Sequence, residues 1–212
     1  MKLKMKSPTL YSRLKKYLLP PYREGWGWVF SQNGLGWVLF LFTLSSCGSI
    51  EDEYSSHSAY LRFDNSIHLD QTIGAALTGV SSNIFCRIYV SKPSHLNFQN
   101  NQGASSIVTL TAREMQYPIA LGINNETGII VGYGGFDGTL YCYDACCANC
   151  YDNSKLLHLL SINTAGIASC SHCQHKYDLT NNGLSPQGGR LERYFATFSG
   201  QPAVLIVNNH FY

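Results

Sequence analysis

Charge is scarce in this chain: Asp, Glu, Lys and Arg supply 13% of its 212 residues, against 45% hydrophobic residues. No basic face with interleaved aromatics is present, which argues against nucleic acid as a partner. No Ser/His/Asp or Cys/His nucleophile arrangement, carboxylate pair or phosphate loop can be assembled, so no enzyme is expected. Internal repeats, low-complexity tracts and long amphipathic helices are also lacking. What is plentiful is Gly, Asn, Ser and Tyr, a mixture of turn-formers and β-formers that leans towards β structure.

The net charge of +2 hides an asymmetry. Residues 1–46 carry seven Lys/Arg and one Glu, whereas residues 48–212 carry eight Lys/Arg against twelve Asp/Glu, near −4. Lys2, Lys4, Lys6, Arg13, Lys15, Lys16 and Arg23 form a positive n-region ahead of the apolar run Trp37–Phe42. That run is short for a membrane span and suits the h-region of an export signal. The alternatives are a plain signal peptide with an incidental Cys, or an uncleaved anchor. Met5 is the one methionine between Met1 and Met115, and the n-region is long, so translation can start downstream of Met1.

Leu44-Ser45-Ser46-Cys47 resembles the lipobox of bacterial lipoproteins. By that resemblance residues 1–46 are a lipoprotein signal peptide and Cys47 is lipidated, anchoring the chain to a membrane of the cell envelope. The Glu51-Asp52-Glu53 that follows resembles the surface-export signal of Bacteroidetes lipoproteins, which implies the outer membrane and its exposed face. Residues 47–58 otherwise read as a flexible acidic tether.

Residues 59–212 read as a single, nearly all-β domain. Strands are expected at Tyr60–Phe63, Asn83–Val90, Ile107–Leu110, Ile119–Ile123, Ile129–Tyr133, Thr139–Tyr143, Gly166–Ser169, His175–Leu179, Arg190–Phe198 and Ala203–Val207. Gln71–Thr78 fits either a strand or a helical turn. Leu96–Ser106 is polar and reads as a loop, as does most of 151–169. Cys86 and Cys142 fall inside strands and read as buried thiols.

Two CxxC pairs, Cys147/Cys150 and Cys170/Cys173, dominate the rest. Two intervening residues let a tight turn aim both sulfurs at one point, and two such turns at hairpin tips can supply four thiolates to one tetrahedral ion. Zinc is the favoured occupant; a mononuclear iron or a [2Fe–2S] cluster is the alternative. Two disulfides compete with both, since an exported chain meets oxidising conditions. Without Cys47 the cysteines number seven, so an all-disulfide scheme leaves one over. Cys146, His172 and His175 are accessory candidates: Cys146 as a spare ligand or a register alternative to Cys147, the two His beside the second pair.

The order strand, knuckle, loop, strand, knuckle, strand, final hairpin resembles a Rieske domain. Cys170-Ser171-His172-Cys173-Gln174-His175-Lys176-Tyr177-Asp178-Leu179-Thr180 is similar to the second Rieske box, and Gly188-Gly189-Arg190-Leu191 occupies the place of a later family segment. The resemblance covers about residues 128–208. It implies a Rieske-like antiparallel β-sandwich with a rubredoxin- or zinc-ribbon-like metal-binding lobe at about 141–180. The family's ligand set is CxH and CxxH, two His on one iron and two Cys on the other. Here Cys173 holds the second-box His position and no His lies between Cys142 and Cys150, as in Bacteroidetes lipoproteins with paired CxxC knuckles. The resemblance therefore implies four thiolates, and either a structural and interaction role or an electron-transfer role with a redox or envelope partner.

Overall fold

Strand β1 (Ala59–Asp64) shows how the pleat builds a core: Ala59, Leu61 and Phe63 are buried while Tyr60 and Arg62 are exposed, the two-residue period of a half-buried strand. A computed structural model describes residues 54–78, 83–134, 138–201 and 203–209 of the chain. The expected signal peptide, Cys47 and Glu51–Glu53 lie outside these residues. The tether expected over 47–58 is described only from Tyr54, and there it is held to the domain. Ser55 is buried and its N–H donates to the Arg193 carbonyl at 2.7 Å; Tyr54 meets Phe195 edge-on.

The fold is mainly β. β1 is followed by β2 (Phe85–Lys92), β3 (His95–Asn100), β4 (Ser105–Thr109), β5 (Ala120–Leu121), β6 (Ile129–Tyr133), β7 (Leu140–Asp144), β8 (Leu160–Ile162), β9 (Ile167–Cys170), β10 (Lys176–Asp178), β11 (Arg193–Gly200) and β12 (Ala203–Asn208). Nine of them form one sheet in the order β4-β3-β2-β6-β7-β11-β12-β1-β5, every neighbouring pair antiparallel. A separate three-stranded sheet has the order β10-β9-β8.

The large sheet folds back on itself. Phe63 on β1 and Phe98 on β3 stand six places apart in the strand order, about 29 Å in a flat sheet, yet their ring centroids are 5.1 Å apart. The bend falls on β11: Arg193 and Tyr194 pair with β7, whereas Phe195–Gly200 pair with β12. Between the folded halves lies a core of Leu61, Phe63, Cys86, Ile88, Leu96, Phe98, Val131, Cys142, Leu205 and their neighbours.

A second core forms on the outer face of β2, β6 and β7, and the same period of two assigns residues to it. Cys86, Ile129, Val131 and Cys142 face the first core, while the intervening Phe85, Ile130, Tyr141 and Tyr143 face the second with Cys147, Cys150, Leu160, Ala168, Cys170, Tyr177 and Leu179. β6 is accordingly buried from Ile129 to Gly132, the continuous apolar run expected of a strand covered on both faces. Cys86 and Cys142 are the buried thiols that their places in the strands suggested.

Three expectations need correction or a decision. Gln71–Thr78 is helical (α2, after the short α1 at Asn65–His68). Asp70 Oδ1 accepts from the N–H groups of Thr72 and Ile73, and Ile73, Ala76 and Leu77 are buried at helical spacing. Leu96–Ser106 is not a loop but most of the β3–β4 hairpin. Asn100 caps its turn, with Oδ1 accepting from Gln102 and Ala104 N–H, and Asn97 Nδ2 donates across to Ser91 Oγ on β2. The 151–169 segment is likewise ordered, holding the end of α3 (Ala148–Ser154) and strand β8.

Gly128 closes the turn before β6 with φ +76°, and a Cβ there would fall 1.9 Å from the Ile88 carbonyl oxygen. Its own carbonyl accepts from Ala145 N–H at 2.9 Å, at the entry to the first CxxC. Gly128→Ala is expected to lower the unfolding free energy by about 3 kcal/mol, read from urea midpoints, since backbone must move as well as φ.

Candidate metal centre

The lobe that carries both CxxC pairs is an excursion between β7 and β11, strands that pair directly with each other. Its first pair is not at a hairpin tip. Cys147 is the residue before α3, with its carbonyl accepting the Tyr151 N–H at 3.0 Å, and Cys150 lies inside that helix. The chain returning towards β8 pins this entry: Cys147 N–H donates to the His158 carbonyl at 2.8 Å, and Leu160 N–H to that of Ala145 at 2.9 Å. The second pair does sit on a hairpin, between β9 and β10. Cys170 N–H donates to the His175 carbonyl and Gln174 N–H to that of Cys170, with Gln174 in the left-handed region.

The four sulfurs converge. Those of Cys147, Cys150, Cys170 and Cys173 all lie within 4.8 Å of one another, with Cys147–Cys173 at 3.5 Å and Cys150–Cys170 at 3.7 Å. Thiolates bound tetrahedrally to zinc at about 2.3 Å stand about 3.8 Å apart. A disulfide needs a sulfur–sulfur distance of about 2.05 Å, and none of the seven described cysteines is in one. The set is buried apart from a partly exposed Cys173, so these four residues can hold one metal ion with no coordination position left open. Such a site orders chain or passes electrons; it does not present a metal-bound water.

Burial, followed by the neighbouring thiols, pushes Cys150 well above the ordinary thiol range, and burial also raises Cys147 despite the Tyr177 hydroxyl and the Cys150 N–H. At Cys173 burial acts in the same direction, but the His175 N–H, the Cys150 and Cys147 thiols and the Asn149 side chain outweigh it and bring the thiol down to about 6. A set of sulfurs crowded into a mostly dry site cannot all ionise unaided; a bound cation would supply the missing charge.

Tyr177 supports the cluster from below. It is buried, its hydroxyl oxygen accepts the Asn149 N–H at 3.2 Å, and the hydroxyl lies 3.5 Å from Cys147 Sγ. Tyr143 holds the outgoing chain by donating to the Leu179 carbonyl at 3.1 Å. Removing only the hydroxyl, in Tyr177→Phe, is expected to weaken metal affinity about tenfold with the fold kept; competition against a chromophoric chelator measures it.

The accessory candidates separate. Cys146 is buried outside the foursome, its N–H donating to Asp144 Oδ1 at 2.7 Å and its Sγ 4.0 Å from the Cys147 carbonyl oxygen. The His175 ring lies tilted against Tyr177, while its backbone serves the second knuckle. His172 Nδ1 is 3.6 Å from Cys150 Sγ, and its ring stacks on His158 at 4.1 Å and 10°. His158 is a neighbour that sequence spacing did not single out. Cys150, His158 and His172 also fall within 4.8 Å of one another. An imidazole lone pair lies in its ring plane, however, and two nearly parallel stacked rings cannot aim theirs at one ion.

Asp144 is the other residue missed. At the end of β7 it is fully buried and accepts from Cys146 N–H, Ile123 N–H and the Tyr194 hydroxyl at 2.7–2.9 Å, tying the knuckle entry to the β5–β6 turn and to β11. Among the described residues no helix is long and apolar enough to cross a membrane. Neither a protein-family model nor a curated protein matches this chain.

Proposed function

We propose that this is a lipid-anchored protein of the bacterial cell envelope whose Rieske-like β domain holds one zinc ion in a four-cysteine site and serves as a structural or interaction module. The observation that carries the site is the mutual approach of the four sulfurs within 4.8 Å. A [2Fe–2S] cluster divides its thiolates between two irons and so holds the two halves apart, which favours a single ion. With all four positions filled by protein, the ion acts by ordering the lobe, and catalysis is not its role. The Rieske-like reading is supported by the order of the strands and knuckles and by the lobe's place as an insertion between paired strands. The anchor reading rests on Leu44–Cys47.

A second reading has its own support. The Tyr177 hydroxyl near Cys147 and the His175 N–H at Cys173 direct hydrogen-bond donors at sulfur, the means by which proteins set the potential of iron–thiolate centres. In that reading a single iron makes the chain an electron carrier to an envelope partner. Elemental analysis of purified protein with a visible spectrum decides: one zinc per chain and no colour is expected, whereas iron with visible absorption supports the carrier. Absence of metal together with a single free thiol in the mature chain overturns both.

A further inference from the structure

We infer that the loop Lys155–Leu159, which leaves α3 in the metal lobe, is a lipid-contacting patch that seats the domain on the bilayer holding its anchor. This rests on acylation of Cys47 as proposed above. Leu156, Leu157 and Leu159 are 53, 44 and 43% exposed within five residues of chain, and the nearby charges of Asp152 and Lys155 offset each other. Apolar side chains grouped on one loop beside a single cation suit insertion at a headgroup boundary.

The chain's own geometry names the occupant. The described domain begins at Tyr54, and the His57 ring packs edge-on against Tyr151 at 5.4 Å. Lys155 Nζ lies 4.6 Å from the centroid of that same Tyr151 ring, so the leucines follow directly from the point where the anchored segment meets the fold. Six residues separate Cys47 from Tyr54, and the seven steps between them reach at most about 25 Å fully extended. A domain of this size is about 40 Å across. The pole remote from Tyr54 therefore cannot rest on the membrane, whereas the leucine loop stays within reach of it.

The test uses the processed, membrane-extracted protein. Trp26, Trp28 and Trp37 are the chain's only tryptophans and all precede Cys47, so a Trp introduced in the mature chain is its sole tryptophan and can be excited selectively over tyrosine. Leu157→Trp and Leu156→Trp are compared with Ile107→Trp, an exposed position on β4 outside the lobe. Each is reconstituted in phosphatidylethanolamine–phosphatidylglycerol vesicles with or without brominated acyl chains, after mass spectrometry of the N-terminus and a check that metal content is unchanged. At least one loop Trp is expected to shift to the blue and lose about half its intensity to brominated lipid, with Ile107→Trp unaffected. Acylated protein whose loop tryptophans are quenched no more than that at 107 overturns the loop's role alone. A mass without an acyl group at Cys47 removes the anchor and overturns both.

Discussion

Cys170→Ser is expected to abolish metal binding and to unravel the lobe while the large folded sheet survives. The two cores make this separation physical. The first core draws on β1, β2, β3, β6, β7 and β12, and its cysteines are Cys86 and Cys142, not the converging four. In the second, Phe85, Ile130, Tyr141 and Tyr143 come from the large sheet, and the lobe adds Leu160, Tyr177, Leu179 and Leu191 to a set of small or sulfur-bearing residues, Ala145, Ala148, Ala168, Cys147, Cys150 and Cys170. With six of its ten core residues Ala or Cys, the lobe would depend on a bound ion, whose binding contributes on the order of 10 kcal/mol in small zinc modules. Hydrogen exchange should show amides of β8, β9 and β10 losing protection while those of β1, β6 and β12 keep it. Cys146→Ala, one residue from the knuckle and outside the foursome, should retain one ion per chain.

Asp144→Ala should cost about 4 kcal/mol, because three buried donors lose their acceptor at once. The group also makes stability depend on pH in the direction opposite to an ordinary surface carboxylate. Burial raises Asp144, and the N–H groups of Ile123 and Cys146 and the Tyr194 hydroxyl recover only part of that, leaving it at about 6. A carboxyl raised on folding stabilises fully below its unfolded pKa, and the contribution disappears as pH climbs through about 6. Relative to Asp144→Asn, whose side chain does not titrate, the natural chain should lose about 2 kcal/mol between about pH 4.5 and about pH 7.5. Taking the difference between the two proteins cancels the common contribution of metal binding, which strengthens with pH as thiols ionise. Urea midpoints across that range measure it, and an unchanging difference would exclude the assignment.

Much of the sheet was legible because β1, β6 and β12 announce themselves through apolar alternation or β-branched runs. β3 was not: His95–Asn100 has the composition of a loop, and its role as a strand depends on Leu96 and Phe98 finding a core built by residues from both halves of the chain. The two CxxC pairs were legible as a foursome, since two-residue spacing constrains sulfurs locally and the fold has only to bring two turns together. The helical setting of the first pair was not, because Ala148-Asn149-Cys150-Tyr151 has no strong helix signal. His158 and Asp144 escaped for a different reason. Each acts through a partner far along the chain or through burial, and neither leaves a pattern in spacing.

X-ray absorption at the metal edge of the purified, metal-replete chain tests the convergence of the four sulfurs most directly. Four sulfur scatterers at about 2.3 Å with no second metal beyond them are expected. A chain that binds no ion, with Cys147, Cys150, Cys170 and Cys173 tied in disulfides, contradicts it.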